Sequence, residues 1–186
     1  MRGRNDGIGK VYASSAEQKE YAWRLVCGTN FGHRGEFDGD RRHQYAGMLG
    51  QTILADAFGL PRPVDLFRQD GGTDFVVGGK EVDLKTALRR TEFGRRWPVN
   101  LKASQFEFGD ARVYLFASML ESDASLNVIG WIKKIDVRRE WRKDAGTPYG
   151  PSSSGRYPTD TIVIPAAALA EYGGEEPFFH AMTMFG

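Results

Sequence analysis

Asp74-Phe-Val-Val-Gly-Gly-Lys-Glu-Val-Asp-Leu-Lys85 is the stretch from which the rest of the chain is read. Short runs of β-branched and aromatic residues flank Gly78-Gly79. A Gly-Gly loop between such runs predicts a β-hairpin, because a primed turn needs positive φ, which glycine adopts without steric cost. The turn sets a register in which Val77 faces Lys80, Val76 faces Glu81, Phe75 faces Val82 and Asp74 faces Asp83. Strand alternation then puts Phe75, Val77, Val82 and Leu84 on a core face, and Asp74, Val76, Glu81, Asp83 and Lys85 on the other. The two aspartates come out opposite each other, about 5 Å apart between Cβ atoms, an arrangement that destabilises a hairpin unless something neutralises it. A divalent cation would do so, and Lys85 stands one pleat further along.

Upstream of this hairpin, residues 41–58 predict a helix: Tyr45, Met48, Leu49, Ile53, Leu54 and Phe58 fall near a 3.6-residue period, and Gly59 and Pro61 stop it. Gly47 and Gly50 lie inside it, each costing about 1 kcal/mol relative to alanine, and interior glycines often mark close approach to another element. Gln51 sits among them. Further upstream, Ser14 and Ser15 begin a helix that ends at Gly28. Residues 28–40 read as a loop carrying His33, Arg34, Glu36, Asp38 and Asp40, and residues 1–10 as a flexible end. Val64 to Phe67 reads as a short strand.

Downstream, Thr86 to Pro98 reads as an Arg-rich connection. Residues 99–108 fit either a short strand or a helix with Leu101, Gln105 and Phe108 on one side. Residues 112–118 and 126–132 are continuous apolar runs, as buried strands are. Residues 144–160 are rich in Gly, Pro and Ser and predict a surface loop or flap. Residues 161–165 form a strand ended by proline, and 166–172 a short helix. The apolar tail with Phe178, Phe179, Met182, Met184 and Phe185 packs on the core or in a subunit interface. The element order predicts an α/β domain over residues 1–186, a central mixed sheet flanked by helices.

Composition narrows the function classes. Over 186 residues the formal net charge is +1, so no global basic field announces nucleic acid. The charge is local instead: Arg89, Arg90, Arg95, Arg96 and Lys102 stand against Glu92 alone, and a second basic run spans residues 133–143. Cys27 is the sole cysteine, which excludes an intrachain disulfide and suits a reducing cytoplasm. No apolar run follows the N-terminus as in a secretory signal, and none reaches the roughly 18 residues of a membrane span.

The chemistry that fits the hairpin is metal-dependent phosphodiester hydrolysis. Carboxylates are hard ligands suited to Mg²⁺, which polarises a scissile phosphate and lowers the pKa of a bound water. A lysine beside that water orients or deprotonates it and steadies developing charge. Asp74 and Asp83 are the expected metal ligands, with the Leu84 carbonyl as a further ligand, Glu81 as a weaker candidate and Lys85 as the catalytic cation.

Asp74…Asp83-Leu84-Lys85 resembles the core motif of the PD-(D/E)XK nuclease superfamily, the restriction-endonuclease-like fold. The resemblance covers residues 41–118, where helix, hairpin, connector and strand follow in the family's order. It implies a Mg²⁺-dependent endodeoxyribonuclease of restriction, phage or repair type, with Mn²⁺ able to substitute. DNA, double-stranded, is the implied partner, and a homodimer cutting two strands the implied assembly. Many members place a glutamate on the helix before the hairpin. Gln51 occupies that place here and takes an assisting role, unless Glu36, Asp38 or Asp40 substitutes for it. Arg89, Arg90, Arg95, Arg96, Lys102 and Gln105 are the expected nucleic-acid contacts. Two alternatives stand beside the enzyme: a nucleic-acid-binding module of the same fold with a decayed centre, and a protein-interaction domain.

Overall fold

A computed structural model describes residues 9–28, 40–64, 73–94, 96–151 and 153–185. In chain order its elements are β1 (Lys10–Tyr12), α1 (Ala16–Gly28), α2 (Arg41–Phe58), β2 (Phe75–Val77), β3 (Lys80–Arg89), β4 (Val99–Lys102), α3 (Ala103–Phe108), β5 (Val113–Leu120), β6 (Leu126–Lys133), β7 (Arg142–Lys143), β8 (Thr161–Ile164) and α4 (Glu175–Met184). Short 3₁₀ turns cover Lys134–Asp136, Arg139–Trp141 and Ala166–Ala168.

The fold is mixed α/β. A five-stranded mixed sheet has the order β1-β6-β5-β3-β2, and a second, three-stranded sheet the order β4-β8-β7. Within the larger sheet β3 and β5 run parallel, while the other neighbours run antiparallel. The sequence predicted a single sheet. The second arises because β4 finds its partner in β8, some sixty positions away, a pairing invisible to local patterning.

The hairpin forms in the predicted register, with Phe75 opposite Val82, Val76 opposite Glu81 and Val77 opposite Lys80. Gly78 and Gly79 both take positive φ, 56° and 75°, as the primed turn requires. The strand after it is longer than expected. Residues 86–89, read as connection, continue β3 in parallel register with Ala117 through Leu120. The ambiguous segment 99–108 is both things in succession, the strand β4 and then the helix α3.

Each face of the larger sheet has its own core. On one face Val82, Leu84, Val113 and Leu115 pack with Leu49, Ile53 and Phe58 of α2 and with Phe178 and Met182 of α4. On the other, Tyr114, Phe116, Ile129 and Ile132 pack with Val99, Leu101, Ile162 and Ile164 of the second sheet. The apolar tail thus joins the core as a helix, which the sequence reading did not assign. Of the short helix read over 166–172, only the turn Ala166–Ala168 forms.

α2 is set by its ends. Asp40 caps its N-terminus by accepting from the amides of Arg42 and His43, and Gly59 closes it at φ 64°. Its interior Gly50 has a packing reason. A Cβ there would stand 2.6 Å from Thr86 Oγ1, so the glycine lets α2 settle directly on β3.

Of the flexible end expected over residues 1–10, residues 1–8 lie outside the described residues, and Lys10 begins β1. This strand pairs with β6 at the far edge of the sheet. Tyr12 donates to Glu175 Oε1 (3.0 Å) and accepts from Tyr172 Oη (2.9 Å), while Lys10 pairs with Glu175. Within residues 144–160, of which Ser152 lies outside the described residues, Pro148 and Arg156 form a bridge, and most side chains are exposed while Tyr157 is buried. The strand read at Val64 to Phe67 lies outside the described residues except for Val64, which is not in a strand, and the loop residues His33, Arg34, Glu36 and Asp38 also lie outside them. No helix among the described residues is long and apolar enough to cross a membrane.

Candidate active site

The alternation that buries Leu84 turns Asp83 and Lys85 to the opposite face of β3. Asp83 is 4% exposed, and Lys85 Nζ lies 2.7 Å from its Oδ2. A carboxylate this deep requires a charged partner, and the lysine one pleat along supplies it. Beside Asp83 in the parallel ladder stands Tyr114, fully buried, whose hydroxyl has no hydrogen-bond partner. Burial, and then the negative charge of Asp83, raise the Tyr114 phenol above its ordinary pKa, so it stays protonated.

Asp74 reaches the same place by a different route from the expected one. The β2–β3 ladder ends at Phe75 and Val82, one residue short of an Asp74–Asp83 pair, and the Asp74 amide donates to Val82 O (3.0 Å). Its carboxylate then takes the position a further strand residue would occupy. Oδ2 accepts from the amide of Leu84 (2.7 Å) and Oδ1 from Gln51 Nε2 (2.6 Å). α2, β2 and β3 therefore all fix this one carboxylate. Amide and carbonyl of a strand residue point to the same edge, so the Leu84 carbonyl also faces the side where Asp74 lies.

Gln51 thus contacts the site directly, as a donor to Asp74. Glu81 is drawn away from it. Its Oε2 lies 3.2 Å from Arg112 Nε, an ion pair without hydrogen-bond alignment, near the turn end of the hairpin. Asp40 serves as a helix cap, and its bonds from the His43 amide and ring hold its carboxyl below the usual range.

The basic residues divide. Arg89 lies on the face of Asp83 and Lys85, its guanidinium 5.2 Å from the ring centres of both Phe93 and Trp97. Arg90 turns away, sharing Glu121 with Arg42 of α2. Arg96 is exposed in the turn before β4, and Arg95 lies outside the described residues. Lys102 is half-buried at the junction of β4 and α3, and Gln105 is exposed on α3. α3 covers the Asp83 face through Phe106, whose ring centre is 6.2 Å from that of Tyr114.

Among the described residues no three or more His, Cys, Asp or Glu side chains gather as a metal-binding group. The donors on offer are the carboxylates of Asp74 and Asp83 and the Leu84 carbonyl. This all-oxygen set suits Mg²⁺, which keeps several waters and needs only one or two carboxylates from protein. Tyr114 is the residue of this region to which sequence reasoning gave no part in the site. Tyr114 becomes a neighbour of Asp83 only through the β3–β5 register, which no short motif carries.

Comparison of the chain with protein-family models, curated proteins and solved structures finds no match.

Proposed function

We propose that this chain is a metal-dependent nuclease of the restriction-endonuclease-like fold, hydrolysing DNA phosphodiester bonds. One observation carries the reading: Asp74, held by Gln51 and the Leu84 amide, shares a strand edge with the buried Asp83–Lys85 pair. Two carboxylates and a lysine on neighbouring strands, beside a carbonyl facing the same edge, form a site for a hard cation and a phosphate. The parallel β3–β5 pair with α2 across it supports the same fold.

Asp74 and Asp83 would hold Mg²⁺ or Mn²⁺, with the Leu84 carbonyl. The ion, when bound, supplies Lewis acidity toward a phosphate oxygen and acidifies a water. Gln51 keeps Asp74 aimed, because its amide donates to one oxygen while the Leu84 amide donates to the other. Lys85 Nζ has three donors. One meets Asp83, which leaves others for the attacking water or a phosphate oxygen. Arg89, Arg96 and Lys102 supply positive charge for the strand backbone. One such centre cuts one strand, so a double-strand break would take two copies of the chain.

Incubating plasmid, linear duplex and single-stranded DNA with the protein and Mg²⁺ or Mn²⁺ tests the reading. Cleavage that disappears on chelation and in Asp83→Asn is expected. All three DNAs remaining intact while still bound would instead favour a binding module with a decayed centre. One observation points that way: Gln51 is neutral and donates to Asp74, adding no third charge.

A further inference from the structure

The end of β3 away from Asp83 is built more elaborately than a contact with phosphate requires. Asp83 and Lys85 are covered to different degrees, but Ala87, two residues on, is exposed, so the face opens there. Beyond it Arg89 lies against both Phe93 and Trp97. Phe93 is buried and fills core, whereas Trp97 is 40% exposed. The indole is nonetheless fixed. Trp97 N donates to Gly94 O at 2.9 Å, closing a tight turn, and a Cβ on Gly94 would come within 3.2 Å of the ring. The two rings meet edge to face with centres 6.0 Å apart.

Arg89 is equally unusual. Its Nε is buried without a hydrogen-bond partner, and no carboxylate pairs with it among the described residues. A guanidinium lying against two aromatic rings, with no acidic partner among the described residues, is prepared for an anion from outside. A fixed, partly exposed indole beside it offers aromatic surface. Phosphate-binding cation and stacking ring together are how proteins hold single-stranded nucleic acid.

We infer that Arg89 and Trp97 bind one unpaired nucleotide of the substrate strand, Arg89 at its phosphate and Trp97 at its base. The platform lies about 13 Å along the strand from Lys85, a few nucleotide steps. Inside an intact duplex each base is covered by its neighbours, and only an unpaired or terminal base exposes a face to an indole. The substrate class that follows is DNA with a single-stranded segment, flap or frayed end next to the scissile phosphate. This rests on the nuclease reading for its substrate, and a binding measurement without metal separates the two.

Fluorescence anisotropy of a labelled single-stranded oligonucleotide and of a blunt hairpin duplex, titrated with full-length protein in chelator, reads the platform directly. Wild-type protein should prefer the single strand. Trp97→Ala should weaken single-strand binding roughly tenfold and leave the duplex unaffected. Trp97→Phe should restore most of the loss, which separates stacking from misfolding. Arg89→Ala should lower the salt dependence of binding by about one phosphate contact. Equal single-strand binding by Trp97→Ala and wild type, or an equal loss on the blunt duplex, overturns the inference. If the Trp97 effect is present and Mg²⁺ still produces no cleavage, the nuclease reading falls and the platform stands. If cleavage occurs and Trp97 has no effect, the platform alone falls.

Discussion

Val82, Leu84, Thr86 and Leu88 of β3 look toward α2, and Asp83, Lys85, Ala87 and Arg89 look the other way. The first set is closed along its length: apolar side chains interdigitate with α2, and at Gly50 the helix comes so close that no Cβ fits. The second set begins buried, at a charged pair, and ends open, at Ala87 and a guanidinium lying against two rings. Packing on one face fixes where the strand lies, and chemistry becomes available on the other face where packing stops. The same strand can do both because its side chains alternate with period two.

Lys85→Ala should break the comparison most severely. It removes the proposed catalytic cation and takes a charged neighbour from the buried Asp83, costing stability on the order of 3 kcal/mol besides cleavage. Asp83→Asn is the informative contrast. Cleavage should fall roughly a thousandfold, while stability holds because Lys85, partly exposed, finds water. Urea denaturation and a plasmid assay on both variants check this, and a fully active Asp83→Asn would remove the site assignment.

On the closed face the effects should appear in stability. Leu84→Ala deletes a core side chain from the middle of the sheet and should cost about 2–5 kcal/mol. A cost near zero would mean that face is not the packed one. Gly50→Ala should cost less, roughly 1–3 kcal/mol, since its methyl must displace Thr86 or push α2 outward. Replacing Thr86 by Ser at the same time does not clear the hydroxyl, whereas replacing it by Ala does, so the Gly50→Ala/Thr86→Ala pair should recover part of the loss. Tyr114→Phe should have the smallest effect and the opposite sign. Its hydroxyl is buried without a partner, so deleting it should stabilise by about 1 kcal/mol. Destabilisation instead would show that a bound water or ligand satisfies that oxygen.

The hairpin was legible because Gly78-Gly79 is a local signal whose geometry dictates its neighbours. The register it implied holds from Val77 back to Phe75 and fails one step later, at Asp74. There a short polar side chain competes with the ladder for the Leu84 amide and wins, a choice residue type alone does not reveal. Residues 86–89 read as connection because Arg89 and Arg90 obscure the alternation, and it is the parallel partner β5 that keeps them in strand. β1, β4 with β8, and α4 depend on partners far away in sequence. The acidic and basic residues around β3 were read from sequence as one group, and only the face of β3 on which each falls distinguishes Arg89 from Arg90.

The ties that close the far edge of the sheet have a bearing on the order of assembly. Lys10 and Glu175 are 165 positions apart, and Tyr12 and Tyr172 are 160 apart. During synthesis β1 emerges long before its side-chain partners exist, whereas the hairpin has both strands within a dozen residues of one another. Loop-closure cost favours the near contacts first. β3 and its turn can therefore nucleate early, and the side-chain ties at the opposite edge of the sheet wait for the last helix.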